Sequence, residues 1–131
     1  MKSTPRIGTV GEVTFVVESK HCIEFATEGM PAVLSTPNLI GILERTARQA
    51  IAPFLQLDER SVGVEIELRH LAPSPLGAIV TATARVIGGG GRYVDFQIEA
   101  RDGHELLARG VHKRAVIRTE SFSHRLKGKS N

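Results

Sequence analysis

The sequence predicts an α+β domain in which a curved, antiparallel five-stranded sheet wraps around one long helix. Three observations predict it. One stretch, 38–52, has helical periodicity, and no other does. The second half of the chain alternates apolar and polar residues in segments cut by Gly- and Pro-rich turns. The 131 residues suffice for one core, and no repeat or second domain interrupts them.

The elements follow in order. Segment 7–17 holds the β-rich run Val13-Thr14-Phe15-Val16-Val17 and reads as a strand. Segment 19–31, with Gly29, Met30 and Pro31, reads as a loop or short lid. Thr36-Pro37-Asn38 is a helix start, with Thr36 as N-cap and Pro37 in the first turn. Pro53 ends the helix. Strands are expected at 62–71, 78–87, 93–100 and 105–117, joined by tight turns. Ala72-Pro73-Ser74-Pro75, the four glycines 88–91 and Asp102-Gly103 supply the breaks. The glycine run lies between strands and no P-loop lysine follows it, so it reads as a turn and not a phosphate cradle.

One helix cannot cover both faces of such a sheet. Wrapping the sheet around the helix buries the helix, and the remaining edges favour pairing with a second copy. That arrangement is the hotdog fold. The domain is expected over 1–117, followed by a basic, polar, frayed tail over 118–131.

Composition narrows the function. The formal charge of +3 resides in the tail, where Arg118, Arg125, Lys127 and Lys129 face one acid, Glu120. The remainder is balanced, and the chain has no Trp and a single Tyr. Nucleic acid is therefore not an expected partner. No apolar run reaches membrane-spanning length and no secretory h-region opens the chain, so a cytoplasmic protein without membrane partner is expected. Cys22 stands alone, which excludes an intrachain disulfide and suits a small buried residue. His21, His104, His112 and His124 lack metal-ligand spacing, and no metal site is expected.

Three residues depart from the patterning around them. Ile40, Glu44, Ala47 and Ile51 form one helical stripe, which sets a carboxylate in an apolar face. It is either a site carboxylate or an edge residue paired to Arg48. On the first strand of the second half, Val62, Val64, Ile66 and Leu68 share a face that His70 continues, opposite Glu65, Glu67 and Arg69. His70 is either structural or an acid–base partner of Glu44. Thr36 is either a plain cap or a substrate contact at the helix N-terminus, where backbone N–H groups favour an oxyanion. Lys113 and Arg114 read as surface residues or as contacts for the phosphates of a CoA.

The segments Ser35-Thr36-Pro37-Asn38-Leu39-Ile40-Gly41-Ile42-Leu43-Glu44, Ser61-Val62-Gly63 leading to His70, and Val111-His112-Lys113-Arg114-Ala115-Val116-Ile117 resemble the fluoroacetyl-CoA thioesterase family, a branch of the hotdog superfamily. The resemblance runs from about residue 7 to 117. It implies a catalytic threonine, glutamate and histidine at Thr36, Glu44 and His70, and substrate contacts at Gly63 and Arg114. It implies hydrolysis of a small acyl-CoA thioester by a homodimer with no cofactor, CoA being part of the substrate. The lid stretch 27–33 carries no phenylalanine, whereas the fluoroacetyl-specific member has phenylalanines there, so the acyl group stays open. An enoyl or hydroxyacyl thioester hydratase-dehydratase, or a non-catalytic acyl-CoA binding module, are the alternative readings.

Overall fold

A computed structural model describes residues 1–27 and 29–129; Glu28 of the expected lid and Ser130 and Asn131 of the tail lie outside the described residues. Strand β1 (Val10–Val16) leads through an irregular segment to helix α1 (Thr36–Ile51). Strands β2 (Glu59–His70), β3 (Ile79–Gly90), β4 (Tyr93–Arg101) and β5 (Leu106–Arg118) follow, then helix α2 (Thr119–Lys127). The five strands form one antiparallel sheet in the order β1-β3-β4-β5-β2.

Side-chain periodicity explains the packing. Leu39, Leu43, Ala47 and Ile51 lie on the sheet-facing side of α1 and are fully buried. Val80, Ala82, Ala84 and Val86 of β3, and Val94, Phe96, Ile98 and Ala100 of β4, alternate into the same core. The alanines at the centre of β3 let helix and sheet approach closely. Each large apolar side chain sealed in this way contributes about 1.5–3 kcal/mol. The helix packs chiefly on β3 and β1, which leaves the far edge strand β2 half covered.

The structure corrects four expectations. First, β2 and β3 are not joined by a tight turn: the chain between them carries β2 to the opposite edge, beside β5. Second, the glycine run is not all turn. Gly88, Gly89 and Gly90 pair with Asp95, Val94 and Tyr93, and only Gly91 and Arg92 reverse the chain. Gly89 has φ 140°, and a Cβ there would collide with the Tyr93 carbonyl, so a side chain is excluded. Third, the strict alternation of 62–71 fails at a β-bulge between Gly63 and Glu65. The bulge shifts the phase by one residue. Gly63 therefore shares the inner face with Ile66, Leu68 and His70, while Val64 is half exposed. Fourth, the tail is not frayed from Arg118 onward. It forms α2, whose Phe122 and Leu126 are one turn apart, but it buries no residue.

Candidate active site

Ser35, and not Thr36, caps α1. The Ser35 hydroxyl accepts from the Asn38 backbone N–H at 3.3 Å and from the Asn38 side-chain amide at 2.7 Å. Thr36 is the first helical residue, so its hydroxyl is not consumed by capping. It lies 2.7 Å from Nδ1 of His70, the last residue of β2. Nε2 of His70 is buried and has no hydrogen-bond partner among the described residues. Burial pushes the imidazole below its ordinary value, and a contact with the Ala72 backbone tempers the shift. A buried ring nitrogen without a partner is costly unless a ligand or water serves it.

Thr36 also borders a cleft of 900 Å³ with Ser35, Pro37 and Asn38 on one side and Cys22, Ile23 and Phe25 of the irregular segment on the other. Cys22 is buried there, its thiol 3.4 Å from the Glu18 carbonyl, which suits a packing role. A separate cavity of 480 Å³ under α2, between Arg92, Val116 and Phe122, contains none of the three candidate catalytic residues.

Glu44 belongs to a different cluster. It lies at the margin of the buried helix face, with its side chain 40% exposed, and Ile40 is likewise only half buried. Its partner is not Arg48: its carboxylate is 3.7 Å from NH1 of Arg114. Arg114 is no surface residue either. It is 5% exposed, and it donates from Nε to Ser61 Oγ and from NH2 to the Ser61 carbonyl, both at 2.9 Å. Burial lowers its pKa and Glu44 opposes that. His112 completes the cluster, 3.2 Å from Arg114 NH1. Gly63 opposes Arg114 across the β2–β5 pair, and the Glu44 carboxylate fills the place that a Cβ on Gly63 would take. The cluster is thus Glu44, Ser61, Gly63, His112 and Arg114.

The expected pairing of Glu44 with His70 is therefore not made within one chain. Thr36 and Glu44 are separated by about 12 Å along α1. Gly63 and His70 are about 20 Å apart along β2. The residues fall into two half-sites, one at each end of β2. Sequence reasoning missed His112 and Ser61. The signal for His112 was present: alternation on β5 puts it on one face with Ala108, Arg114 and Val116, all buried. Among the described residues, no group of three or more His, Cys, Asp or Glu could hold a metal ion, and no helix is long and apolar enough to cross a membrane.

Comparison with known proteins agrees with the fold. The family model described as fluoroacetyl-CoA-specific thioesterase matches residues 17–120. A fluoroacetyl-CoA thioesterase of Streptantibioticus cattleyicolor is 33% identical over 99% of this chain and 98% of its own. A solved structure of a fluoroacetyl-CoA thioesterase superposes with a TM-score of 0.89 at 31% identity, covering 98% of this chain and 100% of that one. A hot-dog-like protein from Thermanaerovibrio acidaminovorans gives 0.88 at 26% identity, covering 95% and 93%. With a helix cradled by a five-stranded antiparallel sheet and a family match over most of its length, the chain belongs to the fluoroacetyl-CoA-specific thioesterase family and is a hotdog-fold thioester hydrolase.

Proposed function

We propose that the chain hydrolyses a short acyl-CoA thioester at a site built from Thr36, Glu44 and His70. The observation that carries this reading is the 2.7 Å contact between Thr36 Oγ and His70 Nδ1, beside a buried Nε2 that no other described residue serves. In the neutral imidazole, Thr36 donates to Nδ1 and Nε2 carries the proton. That N–H donates a hydrogen bond to the leaving sulfur. Glu44 acts as base toward water at the carbonyl carbon, or as the nucleophile itself, in which case water then hydrolyses the anhydride. As the C–O bond to water forms the C–S bond breaks, and the proton that Glu44 takes from that water passes to the CoA sulfur, so that Glu44 ends as carboxylate and His70 stays neutral. Backbone N–H groups at the start of α1 hold the developing oxyanion. Gly63 and Arg114 flank Glu44, where they contact the substrate and orient the carboxylate.

The working unit in this reading is a homodimer. Strand β2 is a free edge with one half-site at each end. Antiparallel pairing of two β2 strands about a two-fold axis near their middle sets the Gly63 end of one strand beside the His70 end of the other. Glu44 of one copy then meets Thr36 and His70 of the second. The cleft beside Thr36 is lined by the segment before α1, and its single aromatic side chain, Phe25, is 65% exposed. A loosely closed cleft suits a small acyl group of no single identity. The test is thiol release from a panel of acyl-CoAs, wild type beside Glu44→Gln. Release that falls by about 10²–10⁴-fold in the variant supports the reading. Full release by Glu44→Gln overturns the assignment, and hydration of crotonyl-CoA without thiol release turns it toward a hydratase.

A further inference from the structure

His112 is the most deeply buried titratable side chain of the molecule that the proposed chemistry does not use. It is 3% exposed and stacks on Phe96, which is fully buried, with ring centroids 6.1 Å apart. Its two ring nitrogens have different neighbours. Nε2 faces NH1 of Arg114 at 3.2 Å, and Nδ1 faces the Glu65 carbonyl at 2.8 Å.

Those two contacts fix the ring's chemistry. A guanidinium has only donors, so Nε2 must accept. A carbonyl has only acceptors, so Nδ1 must donate. One protonation state satisfies both: the neutral imidazole with its proton on Nδ1. Burial, the larger influence, and the charge of Arg114 both favour that neutral state, against the Glu65 bond and Glu44.

The same ring therefore joins two pieces of local structure. Glu65 ends the β-bulge that turns Gly63 inward. Arg114 has its Nε and NH2 tied to Ser61, and NH1 is left to His112 and Glu44. Without an acceptor at Nε2, NH1 keeps only the 3.7 Å contact to a half-exposed carboxylate.

We propose that His112 is a positioning residue: as a neutral imidazole protonated on Nδ1, it clamps the Arg114 guanidinium and so sets where the Glu44 carboxylate stands. This rests on the thioesterase reading for its kinetic consequence, but not for its structural one.

The experiment uses three variants of the full chain, His112→Gln, His112→Asn and His112→Leu. The Gln carbonyl reaches as Nε2 does and keeps an acceptor for Arg114. The Asn amide reaches as Nδ1 does and keeps only a donor to Glu65. Misplacing a reacting group by about 1 Å costs about 100-fold in rate. His112→Leu and His112→Asn should lose about that factor in kcat with little change in KM, and His112→Gln should recover most of it. Rescue by Asn and not Gln, or equal loss in Gln and Leu, overturns the proposal in favour of a purely structural cap on the bulge. A nitrogen-15 NMR spectrum of the wild type gives the second readout. An Nδ1–H neutral ring and a protected proton on Arg114 NH1 support the clamp; an Nε2–H ring or an imidazolium at neutral pH overturns it. If the wild type releases no thiol from any acyl-CoA, the thioesterase reading fails, and the spectrum still decides the clamp.

Discussion

The carboxylate of Glu44 occupies the space beside Gly63 in which any other residue would place its Cβ. The relationship joins helix α1 to the bulge of β2, and it gives the glycine a reason unrelated to backbone freedom, since its φ is not in the left-handed region. Gly63→Ala must push Glu44 away from Arg114, and the new methyl would also crowd His112, 3.2 Å away. The displaced atom is the far end of a half-exposed side chain, so the fold survives. We expect kcat/KM to fall about 100-fold while the thermal midpoint moves little. Unaltered turnover in Gly63→Ala would show that the position of the carboxylate is immaterial.

Gly89 should behave in the opposite way. Its φ of 140° and the Tyr93 carbonyl exclude a Cβ by backbone geometry, and none of Thr36, Glu44 and His70 is among the nearest atoms that a Cβ there would meet. Gly89→Ala should cost about 1–3 kcal/mol of stability and leave kcat/KM per folded molecule unchanged. Chemical denaturation beside the thiol-release assay checks both parts. A variant as stable as wild type would mean that the β3–β4 hairpin relaxes without cost.

The separation of the half-sites makes a prediction about mixed dimers. Glu44→Gln and His70→Ala should each be nearly inactive alone. Mixed by unfolding and refolding together, about half of the dimers carry one of each, and one of their two sites is then intact. Activity should return to about a quarter of wild type. If no activity returns, Glu44 and His70 of the same chain must serve the same site.

Much of this arrangement was legible in the sequence, and the losses have physical causes. The helix and the five strands follow from periodicity, and the family follows from the motifs around Thr36, Glu44 and His70. The Thr36 cap was misassigned because Ser35 and Thr36 are both good caps, and only the geometry shows which hydroxyl the helix takes. The bulge at Gly63–Glu65 leaves no mark in a period-two pattern, since it alters the pairing and not the composition. Strand periodicity leaves Arg114 open between a surface residue and a substrate contact, because burial of an arginine depends on partners, here Ser61 and His112, that come from separate strands or alternate positions. The edge position of β2 depends on a crossover that no local signal encodes.

His112, which is buried, and His70, which is partly buried, set the pH response. Burial lowers both His70 and His112 below the ordinary value of 6.5. As pH falls below 6.5 the unfolded chain binds protons that the folded chain refuses, so unfolding gains free energy from acid. Stability from these groups is complete above 6.5, declines as pH falls toward their folded values, and levels off below them. Glu59 and Asp102 have lowered pKa values through hydrogen bonds from backbone N–H groups, and their contribution is lost only further down, through the carboxylate range. The interval between about 4.5 and 6.5 therefore belongs to the histidines. Urea midpoints should fall across it, and His112→Gln, which has no proton to gain, should flatten the slope. Activity follows from the same sign: with burial holding the His70 pKa below 6.5, the acidic limb of kcat/KM should lie below the value for a free imidazole. A limb at or above 6.5, or a urea midpoint that rises on acidification, would mean that these rings are charged in the folded protein, and a charged His112 cannot accept from Arg114.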